Sequence, residues 1–113
     1  MITIYHNPRC SKSRQTLQLL ESKTNDFEVI KYLEDIPSEK ELSEIIKKLG
    51  ITPIELVRKN EAIWKEKIKG KELSDKELIS AMITHPKLIE RPIVIKEKKA
   101  IIGRPPEKVL SLF

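Results

Sequence analysis

Apolar residues recur along the chain with two different periods, and the switches between them mark out its elements. Ile2-Thr3-Ile4-Tyr5 is β-branched and aromatic and predicts a first strand, which Asn7-Pro8 breaks. From about Ser11 to Ser22 the spacing becomes helical, with Leu17 and Leu20 on one face and Arg14 and Gln18 elsewhere. Phe27 to Leu33 reads as a second strand, apolar at both parities, the pattern of a strand covered on both faces. Helices then dominate. Ser38 and Glu41 form a capping box ahead of Leu42, Ile45, Ile46 and Leu49, and Gly50 closes that helix. Thr52-Pro53 signals another helix start. A further helix is predicted through Ile63, Trp64 and Ile68 to a stop near Gly70. Ser74 and Glu77 repeat the capping box before Leu78, Ile79 and Met82, and His85-Pro86 ends that helix.

The strand pattern then returns. Ile93-Val94-Ile95 and Ala100-Ile101-Ile102, joined by Lys96 to Lys99, predict an antiparallel hairpin. Gly103 breaks its second strand, and Pro105-Pro106-Glu107 opens a last helix through Val109 and Leu110. Two strands separated by a helix pair in parallel, while the hairpin adds an antiparallel edge. The fold class is therefore α/β: a thioredoxin-like fold with a mixed four-stranded sheet and a helical insertion between the second and third strands. With no internal repeat, low-complexity segment or linker, a single domain over residues 1–113 is expected, its insertion at about residues 38–85.

Composition narrows the function. The chain is 39% hydrophobic and 35% charged, a balance of globular rather than disordered proteins. No apolar run approaches the roughly 20 residues that cross a membrane. The start, Met1-Ile2-Thr3-Ile4-Tyr5, shows no basic region followed by an apolar stretch. No signal peptide is therefore expected, and the cytoplasm is the expected location. The net charge of +5 comes from 22 basic and 17 acidic residues that are interleaved, as in Lys65-Glu66-Lys67 and Lys96-Glu97-Lys98. Interleaving marks solvated faces and turns, so neither nucleic acid nor membrane is expected as a partner. Attraction of small anions is the better use of the excess.

The chemistry concentrates in HNPRCSKSR, His6 to Arg14, between the first strand and the first helix. Open α/β sheets place ligands at this carboxyl end of a strand. Cys10 there meets the unpaired N–H groups and positive dipole end of the helix, which stabilise a thiolate. Lys12, Arg14 or His6 would add to that effect, and Ser11 and Ser13 are candidates to donate hydrogen bonds to sulfur or to a bound oxyanion. An inert, buried cysteine would be expected among apolar neighbours, whereas these are charged or hydroxyl-bearing. Two cysteine chemistries fail on spacing. A phosphatase-type loop needs arginine at the sixth position after the cysteine, which is Thr16, and Arg14 stands at the fourth. A dithiol site needs Cys-x-x-Cys, and Ser13 fills the second place. With one cysteine in the chain, any redox cycle at Cys10 has to be completed by an outside thiol.

The run YHNPRCSKSR resembles the active-site loop of the glutaredoxin- and glutathione-dependent arsenate reductases, the ArsC-type family of thioredoxin-like fold. The likeness continues through LVRKN around Arg58, HPKLIERPIVI around Arg91 and IGRPPEKVL around Arg104. The length and GRPPE ending look most like the family's short chromosomal members. The resemblance implies that Cys10 attacks arsenate or a similar oxyanion, and that His6 favours its thiolate. It also implies that Arg58, Arg91 and Arg104 bind the oxyanion, and that Pro92 is the cis-proline facing the sulfur. No bound cofactor or metal is implied. Glutathione is the co-substrate, glutaredoxin the partner that completes reduction to arsenite, and arsenic detoxification the expected role. Read without the family, Arg58 is equally a helix-end charge, and Arg91 and Arg104, each before a proline, equally mark strand boundaries.

Two other functions share these features. One is a glutathione-dependent thiol reductase with another substrate. The other is an Spx-like regulator that binds RNA polymerase; such regulators commonly carry Cys-x-x-Cys and lack the His-Asn-Pro lead seen at His6 to Pro8.

Overall fold

The computed structural model describes residues 1–113. The chain forms two compact units, one of Met1–Asp35 with Arg91–Phe113 and one of Ile36–Glu90. The first unit is built on a four-stranded sheet of β1 (Ile2–Tyr5), β2 (Phe27–Ile30), β3 (Ile93–Lys96) and β4 (Lys99–Ile102), in spatial order β2-β1-β3-β4. β1 pairs parallel with β2 in the register Ile2↔Phe27 to Tyr5↔Ile30, and antiparallel with β3. β3 and β4 close the hairpin, with Lys96 opposite Lys99 and Glu97 turning at a φ of 56°. This is the mixed α/β sheet expected of the thioredoxin-like plan.

Helix α1 (Ser11–Lys23) packs on the sheet, and the closing 3-10 helix, Pro106–Leu112, packs against both α1 and β4. The core between them gathers Ile2, Ile4, Leu20, Val94, Val109 and Leu112, with Leu17, Leu19, Phe27 and Ile101 at its edge. Burial of a side chain of this size is worth about 1.5–3 kcal/mol. The chain's end is helical as expected, but with 3-10 rather than α geometry.

Helices α2 (Glu39–Leu49) and α3 (Asp75–Thr84) organise the second unit. Both start on the expected capping boxes: Ser38 Oγ accepts from the Glu41 N–H at 3.1 Å, and Ser74 Oγ from the Glu77 N–H at 3.2 Å. Gly50, at φ 70°, ends α2 in the left-handed region that glycine enters without steric cost. α3 packs against α2 and against the 3-10 turns Pro53–Leu56 and Pro86–Leu88.

Three elements depart from the sequence reading. The second strand stops at Ile30 instead of Leu33, and Lys31 carries a turn whose carbonyl accepts from the Glu34 and Asp35 N–H groups. β2 lies at the sheet edge and is not covered on both faces: Glu28 and Val29 are exposed, Val29 by 39%. The helix signalled by Thr52-Pro53 is a single 3-10 turn. Beyond it Val57 is drawn into an antiparallel bridge with Ile89, in which the Arg58 N–H reaches the Leu88 carbonyl at 2.7 Å. The predicted helix through Ile68 is a short π-helical stretch, Trp64–Ile68, closed by Lys69 N–H to Trp64 O at 2.7 Å.

Gly103 ties α1 to the hairpin. A Cβ at this position would stand 2.7 Å from Thr16 Oγ1, 2.9 Å from Thr16 Cγ2 and 3.0 Å from Pro92 Cγ, all on buried residues with little room to yield. Gly103→Ala is therefore expected to cost about 1–3 kcal/mol, the range for overpacked sites. Urea unfolding of the two proteins checks this; equal midpoints would mean that the close approach relaxes freely.

Candidate active site

The loop after β1 brings its polar residues together through backbone turns. The Cys10 N–H bonds the Asn7 carbonyl at 3.0 Å, the Arg9 N–H bonds Asn7 Oδ1 at 3.0 Å, and the Arg14 guanidinium bonds the Pro8 carbonyl at 2.9 Å. Cys10 is thereby set at the N-cap of α1, its carbonyl accepting the first helical bond from Arg14 at 3.0 Å. An N-cap side chain faces the free N–H groups of the first turn, so a sulfur here lies where negative charge is best supported. Ser11, the first helical residue, is exposed.

Two arginines from the hairpin side meet the half-buried sulfur. Arg104 Nη1 lies 3.8 Å from Cys10 Sγ and also reaches the Arg91 carbonyl at 3.4 Å. The Arg91 side chain faces Cys10 and the buried Tyr32 and interacts with both. Burial pushes the Cys10 thiol up. The Ser13 N–H, the hydrogen bond and charge of Arg91, and the Lys12 N–H together outweigh it, so Cys10 ionises below the ordinary thiol range. Arg91 responds in kind: burial lowers its pKa, and its bonds to Cys10 and Tyr32 raise it by more. Both peptide bonds that follow these arginines, Arg91–Pro92 and Arg104–Pro105, are cis.

His6 and Ser13 occupy different positions from those the loop sequence suggests. The Ser13 hydroxyl is directed away from the sulfur. It lies 2.6 Å from His6 Nδ1 and accepts the Asn7 N–H at 3.0 Å, so what Ser13 gives to Cys10 is its backbone N–H. His6 is 5% exposed and Ser13 fully buried. Burial first, then the charges of Lys31 and Arg14, hold His6 below its ordinary pKa of 6.5, so the imidazole is uncharged near neutrality. Arg58 belongs to the second unit, where its Nη1 pairs with Glu90 at 2.6 Å and its Nε lies 3.7 Å from Glu61. No three His, Cys, Asp or Glu side chains converge as a metal-binding set would.

Sequence reasoning passed over Tyr32 and Thr16. Tyr32 was read as part of a strand, whereas it follows the end of β2 and is buried against Arg91. Thr16 entered only as the wrong residue for a phosphatase loop, yet it is fully buried on the same helix as Cys10. Thr16 stands one turn before Leu20, but a threonine at that spacing carries no signal of burial in the sequence.

Both shifted groups link stability to pH with the same sign. The unfolded chain protonates His6 near 6.5 while the folded one resists, so stability falls as pH drops from 6.5 through the folded value. The folded chain ionises Cys10 before the unfolded one does, so that contribution is complete above the ordinary value of 9.0 and is lost as pH falls through the folded pKa. Urea unfolding across pH should show stability rising with pH through both windows. His6→Asn should flatten the acid window and Cys10→Ser the upper one. Variants that keep the wild-type slopes would contradict these assignments.

Known proteins match this arrangement along its whole length. The model of the ArsC family matches residues 5–112. An uncharacterised Escherichia coli protein, YfgD, is 48% identical over 98% of this chain and 95% of its own length. The arsenate reductase of Haemophilus influenzae is 47% identical over 99% of this chain and 98% of its own. The solved structure of an arsenate reductase from Vibrio cholerae superposes with a TM-score of 0.94 at 49% identity, covering 99% of this chain and 97% of that one. The matched span takes in the Cys10 loop, both arginines at its sulfur and the hairpin between them, and the chain belongs to the ArsC family.

Proposed function

We propose that this protein is a cytoplasmic arsenate reductase that uses Cys10 as its nucleophile, with glutathione as co-substrate and glutaredoxin as partner. The observation that carries the reading is the convergence of the Arg91 and Arg104 guanidinium groups on the Cys10 sulfur. A thiolate attacking an oxyanion is repelled by it, and guanidinium donors aimed at the reacting atoms offset that repulsion most effectively in a partly desolvated site. The 43–49% identical relatives and structures named as arsenate reductases supply the substrate.

The reaction balances as follows. The Cys10 thiolate attacks arsenic(V); an S–As bond forms, an As–O bond breaks, and the departing oxygen takes protons from solvent and leaves as water. Glutathione thiolate then attacks Cys10 Sγ. An S–S bond forms, the S–As bond breaks, and its electron pair stays on arsenic, which departs as arsenite. Glutaredoxin thiolate attacks the glutathione sulfur of the mixed disulfide and returns Cys10 as thiolate. One arsenic is reduced by two electrons and two outside thiols become one disulfide. The outside thiols are necessary because Cys10 is the chain's one cysteine. His6, Ser11 and Arg14 shape and support the loop, and the family likeness assigns Arg58 to the oxyanion as well.

Arsenite production with glutathione and glutaredoxin tests this. Activity should require glutathione, rise with glutaredoxin and vanish in Cys10→Ser. Arg91→Ala and Arg104→Ala should each lower kcat/KM about 10- to 100-fold, as expected for one charge-assisted contact. Arg58→Ala should reduce it as well. Protein stalled without glutaredoxin should carry one glutathione on Cys10 by mass spectrometry. Activity surviving in Cys10→Ser, or full turnover with thioredoxin alone, would overturn the mechanism.

A further inference from the structure

The two arginines at the sulfur come from the hairpin side, while the sulfur sits on α1, and the oxyanion site exists only if the two are held in register. The residue that spans them is Thr16. Its one hydroxyl proton is shared between the Lys12 carbonyl of its own helix at 2.9 Å and the Gly103 carbonyl at 3.2 Å. The Gly103 carbonyl belongs to the peptide that leads into Arg104. On its other side, the Gly103 N–H donates to the Pro92 carbonyl at 2.9 Å, one residue beyond Arg91. Arg104 closes the circuit through its 3.4 Å contact with the Arg91 carbonyl. Thr16 and Pro92 are both among the fully buried side chains, so these bonds lie out of contact with bulk solvent.

We infer that Thr16 is a positioning residue of the oxyanion site, its hydroxyl clasping the Gly103 peptide so that Arg104 and Arg91 are held against Cys10. A valine would fill the same volume and keep the methyl that packs on Gly103. It would leave the Gly103 carbonyl without this donor, in a place where a lost partner is costly. The hairpin end would then be free to settle away from α1. The guanidinium groups would move with it, and both the anion and the thiolate would lose support together. A serine keeps the donor and loses only the methyl.

This inference rests on the reading of the Cys10 site as an oxyanion site, and the experiment separates the two. Arsenate affinity is measured by calorimetry on wild type, Thr16→Val and Thr16→Ser, alongside the pH dependence of Cys10 alkylation and the urea midpoint of each. Thr16→Val should bind arsenate about fivefold more weakly and show its alkylation midpoint raised by about half a pH unit, matching the worth of one hydrogen bond. Thr16→Ser should restore both. In steady state the valine variant should raise KM for arsenate through the displaced arginines and lower kcat through the less ionised Cys10 nucleophile. Wild type that binds no arsenate would sink the functional reading itself. Wild type that binds, with a folded Thr16→Val of equal affinity and unchanged alkylation profile, would overturn the clasp alone. A loss of urea stability in Thr16→Val without change in either readout would also overturn it, since that is what a merely structural hydroxyl predicts. Should Thr16→Val not fold, the comparison of Thr16→Ser with Thr16→Ala carries the same test.

Discussion

A negative charge on a half-buried sulfur has to be stabilised from outside its own residue, and this electrostatic requirement decides which parts of the chain must meet at Cys10. Burial alone would keep the thiol protonated. The opposing influences come from two directions: the N–H groups of Lys12 and Ser13 at the start of α1, and the guanidinium of Arg91 from the far end of the chain. Arg104 stands 3.8 Å from the same sulfur. Neither source is adjustable by itself. The helix end is fixed by the Asn7 turn, and the arginines are fixed by the strand they flank and by Gly103.

The topology serves that convergence. Strand β1 delivers the loop to the carboxyl end of the sheet, and antiparallel pairing with β3 returns Ile93 opposite Tyr5. The residues just before β3 are therefore brought alongside the loop, and Arg91 is two residues before Ile93. The turn from β4 through Gly103 brings Arg104 to the same place. His6 fits this logic in a way its position beside Cys10 does not suggest. Burial holds its pKa below the ordinary value, and it engages the hydroxyl of Ser13, the residue whose backbone N–H faces the sulfur.

Local features were legible in the sequence and non-local ones were not. The capping boxes at Ser38–Glu41 and Ser74–Glu77, and the hairpin around Glu97, depend on residues a few positions apart, and their spacing announces them. The place of Cys10 at a helix start follows from the same short range. The bridge of Val57 with Ile89 joins residues far apart in the chain, and it converted an apparent helix start into one 3-10 turn. The apolar run from Phe27 onward suggested a strand covered on both faces because hydrophobicity does not say what packs over a strand. The meeting of Arg91 and Arg104 at the sulfur has no periodic signature and was visible only through likeness to a family. Thr16 was hidden because apolar periodicity highlights Leu17 and Leu20 and is silent about a buried hydroxyl one turn before Leu20.

Arginine and helix-end donors, acting together, lower the pKa of Cys10 against its burial. The most direct measurement is a pH titration of the thiolate's ultraviolet absorbance in wild type, Arg91→Ala and Cys10→Ser, which reads the ionisation of the sulfur itself. An inflection is expected in wild type below the ordinary thiol value of 9.0, absent in Cys10→Ser and moved upward in Arg91→Ala. A wild-type inflection at the ordinary value, unmoved by loss of Arg91, would contradict it.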